Sequence, residues 1–422
     1  MKLFDALGLL CVLLLLVLVP VHQIVAGSGY IYYRELLSGT AGSCAVLLML
    51  MGRRLGSRGK RAALQVFISI AFVVAISALD TGRKLEASED VSLASSMLSE
   101  GGVNQTLYVI RMFVLYVPAF LFLTLVRLSP FRFRMLCWTI AIMGPIAILK
   151  FLEFYNIATL TTLATVLSLD GSGLQYNSFV PHLTFSVIAS LYLFFETRQW
   201  TWKLVWVGVA VLVVTYVFVS TSRQASLFCL MAMLVYYHSS KVSHRRERKY
   251  LAAFLGLGVI WGISTALSFG NAGEKLLTQT SVSGYGDTTG RLSAAWNAMT
   301  ALTFQQWISG AGLTSSIVSG PHNDFIRWIQ RIGLPGMLLV ELPFVASFFG
   351  SYRLLRRERS ALSGLAFLGV AFTVFNSFFG YPRDDAYQML YAWVGFGLYI
   401  QLADRTFGGP PDPLPATPGQ SV

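Results

Sequence analysis

The chain has 422 residues, 55% of them hydrophobic and 12% charged, with a mean hydropathy of +0.62. A soluble domain of this size carries about a quarter charged residues, so a water-soluble globular fold is excluded. The net charge of +12 requires no nucleic acid, because basic loops facing the anionic lipids of an inner leaflet account for it.

The apolar residues come in blocks of roughly twenty, the length that crosses a bilayer core. In chain order they predict twelve spans, at about 3–26, 30–52, 62–80, 105–127, 135–152, 180–196, 203–220, 224–240, 250–268, 334–352, 361–380 and 386–402. The first resembles a signal peptide, with Lys2 ahead of it and small residues near 26–29. Its apolar stretch through Ile24 is long for a signal, so it reads as an uncleaved helix. The expectation is an all-α polytopic membrane protein with one transmembrane domain over 1–402 and a disordered Pro/Gly-rich tail over 403–422. Cys11, Cys44, Cys137 and Cys229 are scattered within predicted helices, a pattern that fits neither a disulfide framework nor a zinc site.

Orientation follows from the lysines and arginines. With both termini inside, the inner segments hold Lys2, five residues of "RRLGSRGKR" and three of "RLSPFRFR". They also hold Arg198, Lys203, five residues of "KVSHRRERK", four of "RLLRRER" and Arg405, together 21 of the 32 basic residues. The outer loop 80–104 is acidic on balance. Two other outer segments are long, 153–179 and 269–333, and long ordered loops are more often functional than accidental.

The loop 269–333 has readable parts. "GYGDTTGR" is turn-like, and 292–308 alternates like an amphipathic helix lying along the membrane surface. In "PHNDFIRWIQRIGLPG", Asn323 or Asp324 suits an N-cap and Gly333 a C-terminal stop. Arg327 and Arg331 then share one helical face.

Cations on the outer side stand out against the positive-inside bias. They are Arg34, Arg111 and Lys150 in outer helix thirds, Arg223 in the turn "STSRQASL", and Arg291, Arg327, Arg331 and Arg383 in outer loops. So many cations near one level point to an anion held at the headgroup plane. Local pairing competes with that reading: Arg34 with Glu35, Lys150 with Glu153, Arg327 with Asp324, and Arg383 with Asp384 and Asp385. Arg223 and Arg291 have fewer acidic neighbours at hand and are the better anion ligands. Glu341, mid-helix and two residues before Pro343, is either a functional carboxylate or a structural one bonded to backbone that the proline frees.

His322 is the sole histidine of the long loop, and it precedes a helix N-terminus, whose dipole favours anions. The outer segments carry no DxD and no His/Asp spacing of the kind that holds a metal. Arginine forks bind a diphosphate bidentately and stabilise it as a leaving group. Imidazole takes a proton from an attacking sugar hydroxyl near neutrality. Glycosyl transfer from a lipid-linked diphosphate sugar fits this inventory, and anion transport remains open beside it.

The order "STSRQASL", "GDTTGRLSAAW", "GAGLTSSIVSGPHNDFIRWIQRIGLPG" resembles the bacterial O-antigen ligase and Wzy-type polymerase superfamily. The residues that carry the resemblance are Ser222–Arg223, Gly290–Arg291 with Trp296, Gly310 and Gly312, His322–Asn323, and Gly333 and Gly336. The match covers mainly 203–350; the first half is similar in hydropathy alone. The resemblance implies a GT-C-type architecture, an undecaprenyl-diphosphate-linked oligosaccharide as donor, and inverting transfer with no metal or cofactor. It implies His322 as the base or the residue that orients the acceptor, with Arg223 and Arg291 on the diphosphate. Asn323, Asp324, Arg327, Arg331 and Arg383 are candidates for binding substrate.

Two enzyme readings share this chemistry: a polymerase of polysaccharide repeat units, working beside a chain-length regulator, and a ligase that moves the glycan to lipid A-core or another acceptor. The likeness of "PHNDFIRW" to exopolysaccharide polymerases inclines the expectation to the first. A carrier for an anionic lipid would need charge lining a route through the membrane, and charge at mid-depth is scarce. All readings place the chain in a bacterial inner membrane.

Overall fold

A computed structural model describes residues 2–26, 32–87, 114–126, 128–154, 176–219, 223–239, 245–268, 296–312, 323–379 and 386–407. Among them every regular element is helical. The first six helices are α1 (Lys2–Ala26), α2 (Tyr32–Leu50), α3 (Ser57–Ala87), α4 (Val117–Leu125), α5 (Pro130–Phe154) and α6 (Tyr176–Glu196). There follow α7 (Trp200–Val219), α8 (Arg223–Ser239), α9 (Arg245–Ser268), α10 (Phe304–Ser309), α11 (Asp324–Glu358), α12 (Ala361–Phe379) and α13 (Ala386–Phe407).

Each segment predicted to span contains one of these helices, and α10 stands apart in the long loop. Six of the described helices (α1, α3, α5, α7, α11 and α12) are long and apolar enough to cross a membrane, as a polytopic membrane protein requires. Shorter apolar helices run over Leu183–Glu196 and Ala225–His238. The first part of predicted span 105–127 lies outside the described residues. The structure also moves some boundaries. α3 extends beyond 62–80 at both ends, and α13 continues to Phe407, past the predicted start of the tail.

Helices approach closely where side chains are small, the usual way to gain packing when lipid removes the hydrophobic drive between helices. A Cβ on Gly395 would lie 3.1 Å from the carbonyl of Gly369, so α12 and α13 meet backbone to backbone. Gly144 of α5 leaves room for the Ser186 side chain, whose hydroxyl donates to the Ala141 carbonyl. The Tyr236 hydroxyl of α8 donates to Ile188 of α6 at 2.9 Å. Cys11, Cys44, Cys137 and Cys229 are free thiols, all buried in this packing.

Charged residues gather at one end of the bundle. Asp5 accepts from Arg53 at 2.8 Å and lies 3.7 Å from Arg132, and Arg53 also reaches the Leu125 carbonyl at 3.3 Å. Asp404 accepts from the amides of Arg58 and Gly59 at 3.1 and 3.3 Å, in the first turn of α3. A carboxylate there satisfies donors that the helix leaves orphaned and opposes its dipole. Lys203 pairs with Glu247 at 2.6 Å. All these residues belong to segments that the basic-residue tally assigns to one side. At the opposite end, Ser38 donates to the Leu115 carbonyl at 2.5 Å and Asn323 to that of Phe378 at 3.4 Å.

Candidate functional site

The best-defined part of the predicted site is a break in α11. Asn323 is the N-cap, and its side chain accepts from the Ile326 amide at 3.2 Å. The helix runs as far as Gly333, where φ is 73° and ψ 174°. That backbone region is essentially open to glycine alone. The expected stop at Gly333 is thus present, but the helix resumes at once toward the predicted span 334–352, with Pro335 in its first turn. The result is a short half-helix, 324–332, set on a longer one.

A helix that stops leaves its last carbonyls unsatisfied. Here the segment after α10 supplies the donors: Ala311 donates to the Gln330 carbonyl at 2.7 Å and Gly312 to that of Arg331 at 3.2 Å. The approach is close on both sides. A Cβ on Gly310 would run into the Arg331 carbonyl, and one on Gly333 into the Ile308 carbonyl. Gly310 has nearly the same backbone angles as Gly333, φ 76° and ψ 176°. Two glycine motifs some twenty residues apart are therefore one interlocked joint.

α10 itself is held by a capping box. Thr303 accepts from the Gln306 amide at 3.3 Å, and the Gln306 side chain accepts from the Thr303 amide at 2.9 Å. The single amphipathic helix expected over 292–308 is corrected by this cap: 296–300 is helical, and the chain then breaks at 301–303 before α10 begins. The pattern T-x-x-Q at 303–306 carried that signal in the sequence. Phe304 and Ile308, one turn apart, are 82% and 52% exposed. Below the joint Leu334, Leu338 and Leu342 continue an exposed apolar stripe. α10 thus presents to its surroundings the same apolar character as the span beneath it.

α12 brings two predicted regions together. Phe228 of α8 packs on Phe372 and Phe375 of α12, with ring centroids 4.8 and 5.6 Å apart. Phe325 of α11 packs on Phe378 at 4.8 Å. Arg223, the first residue of α8, precedes Phe228 by five residues, roughly 7–8 Å of helix rise. The N-termini of α8 and of the half-helix therefore lie at the same end of α12.

The other candidates are distributed as follows. Asp324 is fully buried, and Arg331 is 6% exposed with its guanidinium 5.5 Å from the Trp328 ring. Arg327 is half-buried. Arg331 thus belongs to the packed interior of the half-helix. His322, Arg291, Arg383 and the side chain of Arg223 lie outside the described residues. Of the competing local pairs, Lys150–Glu153 is made, at 2.6 Å, whereas Arg34 makes no ion pair with Glu35. Glu341 is buried, 2% exposed, on the inward side of α11. Among the described residues no group of three or more His, Cys, Asp or Glu gathers as a metal site. The carbonyls of Gln330 and Arg331 escaped the sequence reading, since backbone pairing leaves no trace in residue identity.

No protein-family model matches the chain, and no curated protein sequence matches it.

Proposed function

We propose that the chain is a glycosyltransferase of a bacterial inner membrane, with twelve spans, GT-C-type architecture and both termini in the cytoplasm. It uses an undecaprenyl-diphosphate-linked oligosaccharide at the periplasmic face and polymerises polysaccharide repeat units. The observation that carries the reading is the joint. Gly310/Gly312 and Gly333, from two of the motifs on which the family resemblance rests, meet in space at the far end of the half-helix that begins just after His322. The shared backing of α8 and α11 by α12 supports it further, since it brings the start of α8 to the same end of α12 as the start of the half-helix.

In this reading His322 takes the proton from the attacking hydroxyl as its oxygen bonds to the anomeric carbon. The bond from that carbon to the diphosphate oxygen breaks on the opposite face. Arg223 and Arg291 hold the departing diphosphate, whose developing charge their forks match. The outer cations Arg327 and Arg383, with Asn323 at the helix start, serve substrate binding, whereas the buried Asp324 and Arg331 belong to the packing of the half-helix.

Purified protein given only lipid-linked repeat units should form a ladder of longer lipid-linked chains and release undecaprenyl diphosphate. If no ladder forms while added lipid A-core becomes glycosylated, the ligase reading replaces it. Orientation has its own check. In a background lacking the four cysteines, Ser283→Cys should react with an impermeant thiol reagent from the periplasm and Ser243→Cys should not. The reverse pattern would defeat both the orientation and the site.

A further inference from the structure

We infer that Arg34 seats a lipid phosphate at the end of the bundle opposite the Asp5–Arg53 cluster, in a sector separate from the α8–α11 site. Arg34 lies in the first turn of α2 and is 8% exposed. It heads the inward face of that helix, which continues through Ser38, Ala41, Ala45 and Leu48, all buried at 2% or less. A guanidinium stays charged at any physiological pH and carries five donors. Among the described residues Arg34 forms no ion pair, and its shielded Nε has no hydrogen-bond partner. Glu35 does not pair with it; adjacent helical residues do not face each other.

A buried, uncompensated cation is strongly unfavourable unless an anion joins it. An arginine this near a helix end ordinarily snorkels to the interface, yet here the side chain is turned into the bundle. The surroundings decide what kind of anion fits. α2 borders the bilayer on its other side, where Leu36 is 68% exposed and Leu47 and Leu50 are also exposed. Packing of α2 against α1 and α4 closes the inward side with apolar residues, and the Tyr33 hydroxyl is turned to the Leu18 carbonyl at 3.1 Å. An anion that reaches this place from the bilayer brings its own hydrocarbon, and a phosphate oxygen matches the arginine fork. Helix α11 packs instead on α3, α10, α12 and α13, and its first turn meets the end of α12 through Phe325 and Phe378, so the Arg34 seat is distinct from the candidate transfer site. A second lipid-phosphate seat is what an enzyme joining two lipid-linked chains requires, but the binding inference does not depend on that activity.

The test uses full-length protein in detergent, without any glycosyl acceptor, titrated separately with farnesyl diphosphate, phosphatidylglycerol and inorganic pyrophosphate. Bound lipid is counted by native mass spectrometry. Arg34→Ala should lose one bound lipid and weaken the affinity for that lipid by about ten- to a hundredfold, as removal of a charged hydrogen-bonding group does. Loss confined to farnesyl diphosphate assigns the seat to a lipid diphosphate; loss confined to phosphatidylglycerol assigns it to a membrane phospholipid. Unchanged binding of both lipids, or an effect on inorganic pyrophosphate alone, overturns the inference. Should Arg34→Ala fail to insert, Arg34→Lys decides the matter: it keeps the charge and loses the fork, so lipid affinity should fall, and affinity equal to that of the parent would sink the seat. A protein that makes no glycan ladder can still pass this test, and one that makes a ladder can still fail it.

Discussion

Gly333→Ala should disrupt the joint between α10 and α11 and remove activity with it. A non-glycine residue held at these backbone angles costs roughly 1–3 kcal/mol. The clash adds to that, because the added Cβ meets the Ile308 carbonyl, a backbone atom that cannot swing aside. Gly310→Ala should behave alike, since its Cβ meets the Arg331 carbonyl from the other side. Two controls separate the joint from helix weakening in general. Gly336→Ala meets the side chains of Ile332 and Phe72, which can shift, and should cost less. Gly39→Ala has nothing within 4 Å and should be neutral or stabilising by up to about 1 kcal/mol. Thermal unfolding in detergent, with limited proteolysis near 310–312, reads all four variants. A Gly333→Ala protein as stable and as protease-resistant as the parent would mean that the loop and the half-helix are not joined.

The largest effect on rate is expected at His322. Removing a general base costs roughly a hundred- to ten-thousand-fold, so His322→Ala should retain little transfer while inserting normally. Arg223→Ala and Arg291→Ala should each lose most activity as well. Lysine should rescue them poorly, because a point charge does not reproduce two parallel hydrogen bonds to a diphosphate. Initial rates with purified protein and a lipid-linked donor measure this. A fully active His322→Ala protein would take the imidazole out of the mechanism, and activity abolished by EDTA and restored by Mg²⁺ would argue for metal-assisted chemistry.

The helices were legible because bilayer thickness imposes a length and lipid imposes a composition, and both are read directly from the residues. One grouping of charges was legible for a related reason: Lys and Arg collect in particular segments, and Asp5, Arg53 and Arg132 do meet. The N-cap at Asn323 and the stop at Gly333 were visible as residue types with narrow backbone preferences. Their meaning was not. A glycine signals an unusual backbone but does not name what approaches it, so the pairing of Gly333 with Ile308 and of Gly310 with Arg331 emerged only from the structure. Arg331 shows the opposite limit. Its spacing from Arg327 sets a common face, yet whether that face meets solvent or protein depends on what packs there, and Arg331 proves buried. The break at 301–303 is signalled by Thr303 and Gln306, but the apolar periodicity runs straight through it and masks that signal.

The role of α12 bears on how the protein is made. α8 leaves the ribosome more than a hundred residues before the phenylalanines on which it rests, and α11 precedes them as well. Until Phe372, Phe375 and Phe378 enter the bilayer, those aromatic contacts cannot hold the starts of α8 and α11 at a common level. Biogenesis thus has a built-in order. A nascent chain halted before residue 361 would hold both earlier helices without their common support.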